Sequence, residues 1–260
     1  MDERCARGLI ELNNRFYAAN AASFSATRSA PWEGWRRVEG ELGRTGALET
    51  GRLKVLDLAC GNLRFERFLA GLLPEGGLSA TAIDSCPALG HAEEGVDFVE
   101  LDILDALMGS GDAPRTPLAA ACDLAVCFGF MHHVPGFALR ARVVGELVRA
   151  TRPGGLVAIS FWQFMDDPRL ARKAREADAG AGGDALWPGF SPSDLEPGDH
   201  FLGWQGDHGP LRYCHHFTEP EIDALARGAA GAREVTRFSA DGSSHSLNRY
   251  LVLQRDPAKG

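Results

Sequence analysis

The sequence contains no uninterrupted apolar run of membrane-spanning length, no C-x-x-C pair and no G-x-G-x-x-G fingerprint. The first absence argues against a transmembrane helix. The N-terminal stretch MDERCARG is too polar to open a signal peptide, so a soluble protein with no membrane partner is expected. Six cysteines, Cys5, Cys60, Cys86, Cys122, Cys127 and Cys214, are scattered along the chain. Without C-x-x-C spacing they form neither a zinc ribbon nor a thioredoxin motif. Cys122 and Cys127 lie an odd number of steps apart, so on a strand they face opposite sides and cannot share a metal. Their scatter suits a reducing cytoplasm. Cationic excess is also missing: 27 Lys and Arg stand against 35 Asp and Glu, a formal charge of -8. A free-standing nucleic-acid binder is more often basic, because phosphate contacts dominate its affinity. A local basic patch or a partner would still supply such contacts. No internal repeat is visible.

What is present is a chain of 260 residues, long enough for one substantial core without metals or disulfides. Short β-type runs alternate with amphipathic segments. LKVLDLA (53–59) leads into a turn at Gly61, then LRFERFLAGLL (63–73) repeats apolar residues at helical spacing and stops at Pro74, Gly76 and Gly77. LSATAID (78–84) and VDFVEL (96–101) read as strands two and three, and GSGDAPRTP (109–117) as a surface loop. DLAVCFGF (123–130) is a near-continuous apolar run, as a central parallel strand buried on both faces requires. A helix over 139–152 places Val143, Val144, Leu147 and Val148 on one side and is expected to end at Pro153, Gly154 and Gly155, before a fifth strand, LVAISFW (156–162).

This alternation predicts a doubly wound, mostly parallel α/β sheet of Rossmann-like type. The Gly-, Pro-, Asp- and Ala-rich stretch 165–210 reads as an insertion with little regular structure. Thr218, Glu219, Pro220 and Glu221 predict a capping-box helix start with Pro in the first turn, the helix running to about Arg227. Two last strands, 233–240 and 248–255, flank the turn residues DGSS, giving a seven-stranded sheet with a terminal antiparallel hairpin. The expected division is a helical N-terminal lid at 1–50, a cofactor-binding core at 51–164, an insertion or substrate lid at 165–217, and a C-terminal helix and hairpin at 218–260.

The candidate cofactor site begins where strand one meets its turn. A glycine turn there lets the backbone approach a nucleotide-like ligand. Asp57 closes the strand, and Ala59, Gly61 and Asn62 make the turn. Asp84 ends strand two, 23 residues beyond Gly61, where a carboxylate accepts both hydroxyls of a ribose. Asp102 follows strand three with Ile103 next to it, a pair suited to an adenine amino group and its ring, and Phe128 ends strand four. Each acid alone is as well explained by a helix cap or a solvated loop. Three in register at successive strand ends are harder to explain that way. A dinucleotide needs a glycine-lined helix N-terminus for its pyrophosphate. The single glycine of A-C-G-N-L-R favours S-adenosylmethionine, which has no phosphate.

VLDLACGN (55–62), the Asp84 position, DLAVCFGFMHHVP (123–135) and the RPGG turn (152–155) resemble the motifs of class I S-adenosylmethionine-dependent methyltransferases over roughly residues 50–165. Leu63 departs from that pattern, since many members carry a further glycine there. FYAANAASFSATRSAPWEGW (16–35) is similar to the Y-x-x-x-A-x-x-F-S-x-T-R-x-x-P-W pattern of the tRNA wobble-uridine carboxymethyl methyltransferases, which include the methyltransferase domain fused to AlkB-like hydroxylases. GDHFLGWQ (198–205) with LRYCHHF (211–217), and LNRYLVLQR (247–255), add to the likeness.

The resemblance implies methyl transfer to a carboxylate of a modified tRNA uridine, and a small zinc-ribbon activator subunit as partner. A carboxylate is already ionised at neutral pH, so positioning rather than deprotonation would carry the rate. Arg212 is the candidate to hold that carboxylate through a bidentate fork, and Arg28 to bind the carboxylate of the cofactor itself. Tyr17 is a pocket or stacking candidate, with packing of a lid as the competing reading. His215 is a candidate base; no metal is expected from the paired histidines, because adjacent side chains diverge. Trp32 and Trp35 read as a hydrophobic lid. Two alternatives stay open: a small carboxylic acid or hydroxyl as acceptor on the same fold, and a cofactor-binding module without catalysis that acts through a partner.

Overall fold

The computed structural model describes residues 1–27, 30–109, 121–181, 186–204 and 210–258. Helices α1 (Glu3–Ala26) and α2 (Glu33–Arg44) precede the alternating region. There β1 (Leu53–Leu58), α3 (Arg64–Ala70), β2 (Leu78–Asp84), β3 (Val96–Glu100), α4 (Ile103–Met108), β4 (Cys122–Cys127), α5 (Phe137–Ala150) and β5 (Thr151–Trp162) follow one another. After them come α6 (Pro168–Gly180), β6 (Asp199–Leu202), β7 (Arg212–His215), α7 (Glu219–Gly228), β8 (Ala232–Ala240) and β9 (Asn248–Arg255). Seven strands form one sheet in the order β3-β2-β1-β4-β5-β9-β8. The first five are parallel, and β9 runs antiparallel to both β5 and β8. The α/β architecture with a terminal hairpin is therefore the one the periodicity predicts.

Each face of the sheet is sealed by its own apolar cluster. One joins Leu56, Leu58, Cys127 and Ile159 to α4, α5 and α7; the other joins Val55, Val126 and Ala158 to α2 and α3. β4 is buried over five of its six residues, which is why it reads as unbroken apolar sequence. α5 buries Leu139, Val143, Val144, Leu147 and Val148, a single stripe at helical spacing.

Three local expectations are corrected. The stretch after β5 holds a 13-residue helix, α6, and a two-stranded sheet, β6 with β7. The signal for α6 is Asp167, whose carboxylate accepts from the amides of Arg169 and Leu170, followed by Pro at the first helical turn. The composition hid it, since Ala171 and Ala174 supply its buried side in place of large residues. The capping box at Thr218 does not form: the Thr218 side chain makes no cap bond, and Glu221 turns inward to Arg140 and His215. Finally, α5 ends at Ala150, ahead of the Pro-Gly-Gly turn, and the chain passes directly into β5. Thr151 Oγ satisfies the carbonyl of Leu147 at 2.8 Å.

The inward turn of Glu221 belongs to a buried charged network that joins β6, β7 and α7 to the core. Arg140 is 1% exposed. Its Nη1 donates to Glu221 at 2.7 Å and to Glu196 at 3.3 Å, its Nη2 to the Tyr213 hydroxyl at 3.1 Å, and its Nε to the carbonyl of Val134 at 3.0 Å. Asp199 accepts from the Tyr213 hydroxyl and faces His215 Nδ1, each at 2.7 Å, while His215 Nε2 meets Glu221 at 2.8 Å. Burial lowers the His215 pKa, but the hydrogen bonds to Asp199 and Glu221 outweigh it and the net direction is upward. With a carboxylate on each nitrogen, the ring is held as the imidazolium.

The turn that follows β1 positions the ligand cavity. Ala59 (φ 63°), Gly61 (φ 57°) and Leu63 (φ 56°) all adopt left-handed backbone. Leu63 is fully buried, so its side chain is retained by packing in a conformation that suits glycine. The cavity opens at the carboxyl ends of β1, β2 and β4, where the strand order reverses between β1 and β4.

Two outcomes are expected. Arg140→Ala removes the buried guanidinium that Glu221, Asp199 and Glu196 share, leaving His215 as the cation between Asp199 and Glu221, and should lower the unfolding free energy by about 3–5 kcal/mol, read from the urea midpoint; a loss within the experimental error would show the network to be structurally idle. At the turn, left-handed backbone costs a non-glycine residue about 1–2 kcal/mol, and glycine's extra unfolded freedom takes back about 0.4–1 kcal/mol. Half-buried Ala59 loses little contact, so Ala59→Gly should raise the melting temperature slightly. Leu63→Gly should lower it, because the buried side chain is worth about 2–5 kcal/mol. The opposite pair of signs would contradict this account.

Candidate active site

A cavity of about 540 Å³ lies at that crevice. Its floor is the β1 turn and the ends of β2 and β4, and its roof comes from α1, α2, α6 and β7. Asp57, Ala59, Gly61, Asn62, Asp84, Asp102, Ile103 and Phe128 all line it. So do Tyr17 and Arg212. Arg28 lies outside the described residues. His215 is not among the lining residues; it sits in the buried network described above, which corrects its place as a candidate base. His132 and His133 line the cavity instead.

The acidic floor is held by backbone amides. Asp84 Oδ2 accepts from the Gly61 amide at 2.9 Å and Oδ1 from the Cys86 amide at 2.9 Å, which fixes the carboxylate and leaves each oxygen a second lone pair. Burial raises its pKa. Asp102 caps α4 by accepting from Leu104 and Asp105, and its other oxygen accepts from Asn14 Nδ2 at 2.7 Å. The cap role and a place in the cavity wall thus coexist at one residue. Asp57 is 3% exposed and its Oδ1 has no hydrogen-bond partner.

At the opposite wall stands Arg212, 7% exposed. Its guanidinium carbon lies 5.0 Å from the ring centroid of Phe16, 5.4 Å from Trp204 and 6.0 Å from Trp162. Nε and Nη1 have no hydrogen-bond partner. A buried cation with open donors is a site for a planar anion. Its strand, β7, is tied to α1 by Asn13, whose Oδ1 accepts from the Tyr213 amide at 2.8 Å while Nδ2 donates to the Tyr213 carbonyl at 3.2 Å. The same carbonyl lies 2.9 Å and Asn13 Nδ2 3.2 Å from His133 Nδ1. His133 Nε2 is hydrogen-bonded to the Tyr17 hydroxyl at 2.7 Å.

Sequence reasoning missed Arg64, Asn14 and His133. Arg64 lines the cavity beside Trp32 and Trp35, its guanidinium carbon 5.3 and 5.0 Å from their rings, and burial lowers its pKa to about 10. Its one signal was position, directly after the glycine turn. His132, His133 and Cys214 bring possible ligand atoms within 4.8 Å of one another. His133 spends both nitrogens on protein partners and burial raises the Cys214 thiol, so the cluster is committed to packing and hydrogen bonding.

The residues fit the cofactor expected from the sequence. Asp84 offers paired acceptors for vicinal hydroxyls, and a cavity floor bordered by Asp57, Asp84 and Asp102 calls for a cationic ligand rather than a pyrophosphate.

Residues 56–159 match the family model of the methyltransferase domain. The chain is 28% identical over 171 residues to a tRNA (carboxymethyluridine(34)-5-O)-methyltransferase of Macaca fascicularis, covering 64% of this chain and 22% of that one. It is 30% identical over 166 residues to the Arabidopsis thaliana protein of the same name, covering 62% and 35%. The chain thus spans about a fifth and a third of these relatives. Among solved structures, a SAM-dependent methyltransferase of Methanosarcina mazei superposes with a TM-score of 0.54 at 17% identity, covering 80% of this chain and 94% of that one. Fold, cavity position and sequence agree on a methyltransferase domain, matched over residues 56–159.

Proposed function

We propose that the chain uses S-adenosylmethionine to methylate a carboxylate oxygen on a modified tRNA uridine. The observation that carries the reading is Arg212, a cavity-lining cation buried among aromatic rings with no hydrogen-bond partner at Nε or Nη1. The names of the two plant and animal relatives support the acceptor class. The Ala59–Asn62 turn, Asp84, Asp102 and Ile103 would hold the cofactor, with Arg64 near the turn suited to its carboxylate. When bound, S-adenosylmethionine supplies an electrophilic methyl group on a sulfonium.

The protein's own contribution is placement. The acceptor carboxylate is ionised at neutral pH and needs no base. Arg212 would fix both of its oxygens in one plane, and the surrounding rings exclude the water that would otherwise solvate it. Tyr17, hydrogen-bonded to His133, is set to line the acceptor's flank. At the cavity mouth Arg169 and Lys173 of α6 supply cations in an otherwise acidic chain, as a polynucleotide substrate requires. No helix among the described residues is long and apolar enough to cross a membrane. The six free cysteines support a reducing, cytoplasmic setting.

The test is transfer of labelled methyl to bulk tRNA, run with and without the zinc-ribbon activator that the resemblance implies. The expected product label is base-labile, as an ester is. Arg212→Gln should reduce kcat/KM about 10²-fold, as loss of a charge-assisted fork does, with cofactor binding retained in calorimetry. Asp84→Ala should lose cofactor binding. Base-stable label, or label confined to a small carboxylic acid, would overturn the tRNA carboxylate as acceptor.

A further inference from the structure

Beneath the β1 turn two carboxyl groups are shut away from water together. Asp57 on β1 is 3% exposed and Glu66 on α3 is 0%. They lie within hydrogen-bonding reach of each other. No donor around them reaches Oδ1 of Asp57 or either Oε of Glu66. A hydrogen bond between two carboxyls exists only if one of them carries a proton, and two adjacent carboxylates without donors cannot both be ionised out of water. Asp57 also lines the cavity, whereas Glu66 stands behind it.

The groups facing the pair do not relieve it. Asp84 from β2 and Glu93 from the segment before β3 add negative charge. The thiols of Cys60 and Cys127 sit close by and remain protonated. Arg67 on α3 is the cation in range, but its side chain is 40% exposed and engages Glu93 at 3.4 Å. Burial and the neighbouring carboxylate hold Asp57 well above the usual carboxylate range, and burial raises Glu66 to about 7.

We infer that Asp57 and Glu66 share one proton in the empty cavity and release it when a cationic ligand enters, so that cofactor uptake is coupled to loss of a proton. The inference rests on S-adenosylmethionine being the cofactor, whose ammonium and sulfonium are the cations that replace the proton. In the step the carboxyl O–H bond breaks, the electron pair stays on oxygen, and the proton passes to buffer. Glu66, which never needs to touch the ligand, is a positioning residue that sets the charge state of Asp57.

Isothermal titration of S-adenosylmethionine into the full chain at pH 6–7, in PIPES and in imidazole, reads the coupling directly. That range lies below the titration of the ligand's own ammonium. The observed heats should differ between the buffers by their difference in ionisation enthalpy times about one proton per ligand, and affinity should rise up to about tenfold per pH unit. In Glu66→Gln the amide donates to Asp57 and keeps it charged, so the buffer dependence and the pH slope should both vanish. The variant should melt no lower than the wild type at pH 8, since a neutral amide loses less on burial than a carboxylate. Binding without buffer dependence in the wild type, or unchanged proton release in Glu66→Gln, overturns the coupling alone. No binding in the wild type overturns the cofactor assignment and the coupling with it.

Discussion

Charge held out of water must be matched, and the structure meets that demand in three different ways. Around Arg140 the match is internal: a buried guanidinium is enclosed by Glu221, Asp199, Glu196 and the Tyr213 hydroxyl, with His215 as a second cation between the same carboxylates. Beneath the β1 turn, Asp57 and Glu66 have no such cation and must share a proton or receive a ligand. At Arg212 the deficit has the opposite sign, a cation with open donors. The first network holds the molecule together, and the other two are where a ligand completes it.

These deficits give the cavity a polarity. Its floor, with Asp57, Asp84 and Asp102, favours positive charge; its far wall, with Arg212, favours negative charge. A sulfonium donor and a carboxylate acceptor are complementary to that arrangement and to each other. Phe128, Trp32, Trp162, Trp204 and Tyr17 also line the cavity. Such a lining lowers the local dielectric and strengthens charge interactions within the cavity. A wall formed by β7 has a mechanical consequence too. Asn13 ties that strand to α1, and the Arg140 network ties the same strand to α5 and α7. Arg212 is therefore carried on a short strand anchored from both sides.

The sheet was legible before any coordinates because burial on both faces forces continuous apolar runs such as DLAVCF, and helix stripes force spacing such as Val143, Val144, Leu147 and Val148. The cofactor turn was legible for a related reason: ligand-facing residues follow strand ends, and Asp57, Gly61, Asp84 and Asp102 all do. Leu63 stood out as an irregular residue, and its left-handed backbone supplies the cause. By contrast α6 was obscured because its buried side is made of alanines, and no local pattern marked Glu66, which is fully enclosed.

The sequence by itself determined the succession of the seven strands of the main sheet, the place of the glycine turn and the acids that border it, since each follows from local periodicity and from where the chain must leave the sheet. Only the tertiary structure decided which histidine meets the cavity, because His133 and His215 differ in how β7 and α1 pack and not in any local pattern. It also decided that Glu221 serves Arg140 instead of its own helix start, that Asp57 finds a second carboxyl behind it, and that Arg212 is left with open donors. Those are facts of desolvation and counter-charge between residues far apart in the chain, and no spacing along the sequence encodes them.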